Sequence, residues 1–555
     1  MQDRPYQTAF GEAVISAYDQ GWHQQIASMA TGTGKTYCFS RLFEKLRSRL
    51  PGQMLVLAHT DELCKQNFDG LVDVNPCTKV SMEKADQHAD PNADIIMASV
   101  QTVGRKNTPR LKQFNNETMD KVVVDEAHHS CADSYLNVLA HFKVRDEGTK
   151  KLLLGMTATP TRTDGKSLGD IYKKMVYLYS LRQAIEDGFL VKVRGYRCTT
   201  NSDISKVSIS GGDLNAGELI EAIDNPDRNK RVVKAWLDLC EHRKTVIYSV
   251  RIDHALHLAF EFKEAGIPCE AVWGVDPDRG LKLQWHKNTA GSVLVNAALL
   301  IEGYNDPSIS CIVIAAPTAS SVKFTQMCGR CTRLFPGKVD SIILTMDDIA
   351  GNHSLISLPM LMGMPAALDL QGQSITDAVK LIEEMQDEHS NVDFSKLKDI
   401  EKIKQFIEEV NLFEIRFPKE VEESSELRWC RAVDGGYTMK ILRPKTDTTG
   451  TKPGRVRIYE NVIGQWEIRG EIKERQFLGL RNSVEEAFAC ADQQIRERSP
   501  ESMVLLNRKA DWTNKPATKP QKILLSRLYG KGKAWPEDLT QGQASFWIDK
   551  RIGGK

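Results

Sequence analysis

Short apolar runs recur through the first two-thirds of the chain, and each ends in small or polar residues: MLVLAH (54–59), IIMASV (95–100), KVVVDEAHH (121–129) and KLLLGMTATP (151–160). Stretches with helical spacing separate them. Strands alternating with helices predict a parallel α/β domain, with the polar strand ends marking the carboxyl edge where such sheets bind ligands. A second series follows: VKVRGYRC (191–198), TVIYSV (245–250), SVLVNAA (292–298), SCIVIAAPT (310–318) and VDSIILT (339–345). The first series closes near 176–190, which predicts one domain over 1–178 and another over 179–355. No period of 20–50 residues repeats, so the chain is not a solenoid.

The pattern changes after residue 355. Leu370 to Phe413 has helical spacing and many charges, and 356–425 reads as a helical connector. Within 426–500, three alternating stretches (YTMKIL, RVRIYE, QWEIRG) precede SVEEAFACADQQIRER (483–498), which opens with Ser483 and Glu486 as a capping box. This predicts a small three-stranded sheet backed by one helix. The linker TNKPATKPQ then leads into a basic helical tail within 501–555.

A chain of 555 residues is too long for one core. Its 41% hydrophobic and 26% charged residues are those of an ordinary soluble protein. No apolar run approaches the roughly 20 residues of a membrane span. MQDRPYQTAF is not a secretory signal, and the expected compartment is cytoplasmic. The twelve cysteines are scattered singly, as in a reducing compartment. Cys328 and Cys331 form a CxxC pair without a second pair at zinc spacing, and read as packed thiols. The net charge of +1 averages unlike segments. Gln371–Glu426 has 15 acidic against 7 basic residues, Arg428–Arg481 has 12 basic against 6 acidic, and Arg508–Lys555 has 11 against 4. The two basic blocks could meet phosphates.

Chemistry concentrates first at MATGTGKT (29–36). The amides of a Gly-rich turn over Thr31, Gly32, Thr33 and Gly34 can cradle phosphate oxygens. Lys35 would neutralise the β and γ phosphates, and Thr36 would offer its hydroxyl to Mg²⁺. Met29 stands where GxxxxGK[ST] has its first glycine. The second half is VVVDEAHH (122–129), a buried strand ending in paired carboxylates. Asp125 would hold Mg²⁺ and Glu126 would polarise the attacking water. The expected cofactors are therefore ATP and Mg²⁺.

With these motifs the chain resembles the superfamily 2 helicases of the DEAH-box type over roughly residues 1–350. RPYQ (4–7) is similar to the element in which Gln7 would read adenine. AHTDELCKQ (58–66) and SVQT (99–102) are similar to the strand-contacting motifs, implying nucleic-acid contacts at His59, Thr60, Gln101 and Thr102. DEAH (125–128) and TATPTR (157–162) follow, then SVR (249–251), IEGYNDPSI (301–309) and QMCGRCTR (326–333). The resemblance implies two tandem RecA-like domains, α/β with parallel sheets flanked by helices, plus a C-terminal α+β accessory region. It places Arg330 and Arg333 against the γ-phosphate with Gln326 at the same interface, and Gly303 at the nucleotide. It gives His128, Thr157 and Thr159 a coupling role, and adds Arg162 to the nucleic-acid contacts. Motif V departs from T-E-G-F-D-x-P at Ile301 and Asn305, which puts strand contacts near Ile301 in doubt.

The motif set leans towards DNA, single-stranded, forked or branched, and resembles RadD-type repair helicases, phage helicases and type I restriction motor subunits. A bacterial or host cytoplasm is the implied setting, with work in repair, recombination or phage replication. An RNA helicase and an ATP-switched nucleic-acid clamp are the alternatives. In the C-terminal sheet Arg428, Lys440, Arg455 and Arg457, interleaved with Trp429, Tyr437, Tyr459 and Trp466, could track phosphates and stack on bases. The aromatics could equally be the core of a small domain. Protein partners through the C-terminal region are also conceivable on its charge; a membrane is not.

Overall fold

The computed structural model describes residues 3–158, 168–297, 304–351, 353, 355–388, 397–400, 419–427, 429–432, 436–441, 454–461, 463–471, 475–499, 502–503, 516–529, 539–541 and 544. The chain divides into two compact units, one comprising Met1–Met362 with Asp369–Thr376, the other Gly363–Leu368 with Asp377–Lys555. Among the described residues no helix is long and apolar enough to cross a membrane.

The first unit contains two parallel sheets. In the amino-terminal lobe seven strands run in chain order as β1 (Gln24–Met29), β2 (Gln53–Ala58), β3 (Val80–Glu83), β4 (Ile95–Ser99), β5 (Met119–Asp125), β6 (Leu152–Thr157) and β7 (Lys174–Tyr179). Their spatial order is β3–β4–β2–β5–β6–β1–β7. β2, β4, β5 and β6 are the four apolar runs of the sequence, buried along almost their whole length because helices cover both faces. β1 lies between β6 and β7, yet the chain leaving it crosses over two strands to reach β2. That reversal opens a crevice at the carboxyl end of β1.

The second lobe has six parallel strands: β8 (Lys192–Asp203), β11 (Thr245–Ser249), β12 (Cys269–Val272), β13 (Val293–Ala297), β14 (Cys311–Ile314) and β15 (Asp340–Ile349), ordered β12–β13–β11–β14–β15–β8. Between β8 and β11 sits an insertion the periodicity did not foretell. A hairpin of β9 (Ile209–Ser210) and β10 (Asp213–Leu214) and the helix Ala216–Ile223 close over a small core of Ile204, Val207, Leu214, Leu219 and Ile223. At the carboxyl edge Arg228 and Asp348 form a fully buried bidentate pair, both bonds 2.8 Å, with Arg228 also donating to the Ala315 carbonyl. Cys328 and Cys331 are buried, and burial pushes the Cys331 thiol up to about 11.

The second unit corrects one expectation. The sheet has five antiparallel strands rather than three: β16 (Cys430–Arg431), β17 (Tyr437–Ile441), β18 (Gly454–Glu460), β19 (Trp466–Glu471) and β20 (Arg475–Arg481). β16 is too short to show alternation. β20 hides its pattern because Leu478 is the extra residue of a bulge between the pairs Ile468–Gly479 and Arg469–Phe477. The helix Val484–Arg498 starts at Ser483, whose hydroxyl accepts from the Glu486 amide at 3.2 Å. It buries Ala487, Phe488, Ala491 and Ile495 against the sheet.

Candidate active site

β1 delivers the chain to its carboxyl edge at Met29, and the Ala30 amide is pinned to the Tyr179 carbonyl of β7 (2.9 Å). The turn that follows needs left-handed backbone at Gly32 (φ +90°) and Gly34 (φ +83°), which glycine adopts without strain. Gly34 then caps the helix Lys35–Lys45. The Thr33 hydroxyl donates back to the Ala30 carbonyl (2.7 Å), and Tyr6 Oη donates to the Thr33 carbonyl (2.7 Å). The Gln7 amide is held through its oxygen by the Arg4 amide (2.9 Å), and its nitrogen lies 3.3 Å from where a Cβ on Gly34 would stand.

The carboxylates arrive from β5. Lys35 Nζ is 2.8 Å from Glu126 Oε1. Thr36 Oγ1 donates to Asn67 Oδ1 (2.8 Å), and Asn67 Nδ2 donates to Asp125 Oδ2 (2.8 Å). One amide therefore links the hydroxyl and the carboxylate, and this oxygen-rich pair suits a hard cation such as Mg²⁺. Burial first, then the charge of Glu126, pushes the Asp125 carboxyl above its ordinary range, opposed by Lys35 and Asn67. Asn67 was not among the expected residues. Its signal was a polar side chain on the buried stripe Leu63, Cys64, Asn67, Leu71 of the helix Asp61–Val74. Glu126 itself sits in left-handed backbone (φ +51°), a conformation that costs a non-glycine residue about 1 kcal/mol or more. Thr157, buried at the end of β6, is paired in register with Ser28 of β1.

The second lobe closes on this loop. A Cβ on Gly329 would stand 2.4 Å from Thr31 Cβ, and one on Gly32 would meet Arg333 Cγ at 3.1 Å and Leu190 Cδ2 at 3.3 Å. Arg333 thus lies across the glycine turn. Asn305 Oδ1 accepts from Arg333, and the Tyr304 carbonyl accepts from Arg330 Nη1 (2.9 Å). The departure at Asn305 is therefore a holder for an arginine. Burial and the neighbouring charge of Arg330 bring Arg333 down to about 10, the mark of a cation placed where an anion would be welcome. Gln326 and Arg330 are buried beside it. Leu190, in the connector between the lobes, bridges Arg333, and the Val191 amide donates to the Thr332 carbonyl (2.8 Å). A further inter-lobe ion pair joins Arg279 to Glu62.

The expected nucleic-acid residues are more scattered. His59, Thr60, Gln101 and Thr102 stand together at the carboxyl ends of β2 and β4, where Gln101 Nε2 donates to the His59 carbonyl (3.0 Å). The Thr60 hydroxyl is spent capping its helix at the Leu63 amide, and that of Thr102 accepts from the Ala85 amide. In the second unit Arg457 donates to Glu383 (2.6 Å). Trp429, just before β16, and Tyr437 of β17 are buried core residues whose rings pack against Phe488, so they do not offer bases a face. Arg455 pairs in register with Lys440, on the same face as Arg457. Thr159, Arg162, Gly303, Arg428 and the side chain of Lys440 lie outside the described residues.

Residues 1–162 match the family described as the res subunit of type III restriction enzymes, and residues 380–555 match the C-terminal domain of the mitochondrial helicase Irc3. A Schizosaccharomyces pombe protein, irc3, named as a mitochondrial ATP-dependent helicase, is 28% identical over 567 residues, covering 100% of this chain and 91% of its own length. IRC3 of Saccharomyces cerevisiae, named as an ATP-dependent helicase, is 31% identical over 375 residues, 65% of this chain and 53% of its own. Among solved structures the type ISP restriction-modification enzyme LlaBIII, bound to DNA, shares the fold with a TM-score of 0.51 at 15% identity, over 76% of this chain and 34% of that one. This chain thus spans about half the budding-yeast relative and a third of LlaBIII.

Proposed function

Because this chain belongs to the superfamily 2 helicases, we propose that it is an ATP-dependent DNA helicase or translocase, whose inter-lobe cleft hydrolyses ATP and whose lobe movements drive it along single-stranded, forked or branched DNA. The observation that carries the reading is the contact of Arg333, from the second lobe, with Gly32 of the phosphate-binding turn.

In this reading Thr36 and Asp125 would hold Mg²⁺, which when bound would supply positive charge to offset that of the triphosphate. A triphosphate on the glycine turn competes with Glu126 for Lys35; once Lys35 turns to phosphate, the Glu126 carboxylate is released to orient and deprotonate water. Arg333 and Arg330 stabilise the charge spreading over the equatorial oxygens, and only when the lobes meet. Glycines on both sides of the contact, Gly32 and Gly329, let the lobes approach this closely. His128 and Thr157 carry the state of the nucleotide to the strand-contact loops after β2 and β4. The likeness to the endonuclease subunit of an Escherichia coli type I restriction enzyme supports DNA as substrate, and repair, recombination or phage replication is the setting we assign. A bacterial or host cytoplasm is the compartment we assign; the name of the S. pombe relative gives that protein a mitochondrial one.

The test is steady-state ATP turnover with no nucleic acid, with single-stranded DNA and with RNA of the same length, followed by strand displacement on forked, blunt and branched duplexes. DNA should stimulate turnover more than RNA. Preferential stimulation by RNA would make this an RNA helicase, and binding without stimulation would make it a clamp.

A further inference from the structure

Three imidazoles stand in a row beside the carboxylates. His59, at the end of β2, has its ring centroid 4.1 Å from that of His129, and His129 is 4.2 Å from His128. His128 Nδ1 lies 3.5 Å from Glu126 Oε2, and Glu126 Oε1 holds Lys35. At the other end Gln101, exposed on the strand-contact edge, donates to the His59 carbonyl. A continuous line of contacts thus runs from the surface expected to meet nucleic acid to the general base.

We propose that His129 is a positioning residue: its ring, wedged between His59 and His128, sets the Glu126 carboxylate according to the position of the loop after β2, and so makes hydrolysis responsive to the bound strand. This rests on the reading given under Proposed function.

The backbone shows why a push at His129 reaches Glu126. Glu126 and His129 bracket the single 3-10 turn Ala127–His129, and the His129 amide donates to the Glu126 carbonyl (3.0 Å). The far side of the turn is pinned, because Ser130 Oγ and Tyr172 Oη share a hydrogen bond of 2.7 Å between buried groups. Glu126 is confined to left-handed backbone, which leaves the turn few alternative conformations. Rings about 4 Å apart are in van der Waals contact, and packed interiors shift between discrete arrangements rather than compress. A strand that displaces the His59 loop must therefore move His129, and the turn passes that movement to the base. Thr60, next to His59, caps the helix carrying Asn67, so the same loop also borders the amide that links Thr36 to Asp125.

The experiment compares full-length wild type, His129→Ala and His129→Phe for basal ATP turnover, turnover at saturating single-stranded DNA, KM for ATP, Kd for DNA and Tm. Removing the ring should lower the DNA-stimulated kcat about tenfold, within the usual range of coupling between sites. Basal kcat, KM and Kd should stay close to wild type. Phe restores a ring of similar shape without the ring nitrogens, and should recover most of the stimulation. Full stimulation in His129→Ala would overturn the proposal, as would an equal fall in basal and stimulated rates, which marks a structural role. Should His129→Ala fail to fold, a folded His129→Phe without stimulation would overturn it as well. A wild type that no nucleic acid stimulates would instead remove the underlying reading, and this inference with it.

Discussion

Gly329→Ala isolates the closing of the two lobes from everything else the site does. The new methyl carbon would stand 2.4 Å from Thr31 Cβ and 2.8 Å from its Cγ2. Carbon atoms pack at about 3.5–4.0 Å, so the lobes must part by roughly 1 Å or more at this point. Arg333 rides on the same segment, four residues along, and is carried back with it. A misplacement of about 1 Å in a catalytic group costs on the order of 10²-fold in rate, and complete removal of an arginine finger costs about 10³ or more. We therefore expect kcat to fall about a hundredfold, short of a full Arg333→Ala loss. The second lobe should not suffer, because Gly329 has helical backbone (φ −63°, ψ −13°) that alanine adopts readily. The assay is kcat at saturating ATP and DNA, with nucleotide Kd from titration of a fluorescent ATP analogue and Tm recorded alongside. Nucleotide Kd and Tm should hold while kcat falls. Wild-type turnover in Gly329→Ala would show that hydrolysis does not require this contact.

Four further outcomes follow from the same geometry. Glu126→Gln should stop turnover while retaining bound ATP in a filter-binding assay, whereas Lys35→Ala should lose both; normal hydrolysis by Glu126→Gln would end its assignment as base. Asn67→Ala removes the amide between Thr36 and Asp125 and should raise the Mg²⁺ needed for half-maximal ATPase by about 10–100-fold; an unchanged Mg²⁺ titration refutes that role. Asp348→Ala leaves Arg228 buried without its counter-charge and should cost about 3–5 kcal/mol in denaturant unfolding, with a loss under about 1 kcal/mol counting against it. Burial holds His254 and His286 neutral, with pKa brought down from 6.5 to about 4. Their stabilising effect is complete above pH 6.5 and is lost as pH falls towards 4, where the unfolded chain binds the extra protons. That amounts to roughly 3 kcal/mol for each histidine. A Tm that does not move between pH 7 and 5 would contradict it.

How much of this was legible in the sequence depended on whether the signal was local. β5 and β6 announce themselves as unbroken apolar runs because both faces are covered, and the glycine turn and paired carboxylates are written in consecutive residues. β3, β7 and β20 were not seen: the first two lie at sheet edges, where half-burial mixes polar and apolar residues, and the last is broken by its bulge. The insertion after β8 was missed because its core of five residues is too small to impose a period. Asn305 read only as a departure from the motif V pattern. Only the fold brings it to Arg333, 28 residues on. The C-terminal aromatics show the limit most clearly. An alternating strand says that one face is buried, but not which aromatics lie on it: Tyr437 went inward, as did Trp429 in the stretch before β16.

The bridge between Leu190 and Arg333 bears on how freely the connector could vary in length. A slack tether would accept added or missing residues at little cost, as surface loops do. Here the stretch after Gly188 is zipped to the very segment that bears Arg333, with the Val191 amide bonded to the Thr332 carbonyl. Inserting one residue would turn Leu190 to the opposite side of that pairing and pull the guanidinium out of line. The number of residues between Asp187 and Val191 is therefore held by that pairing, and Gly188 (φ +75°), Phe189 against Tyr6 and buried Leu190 hold the side chains as well.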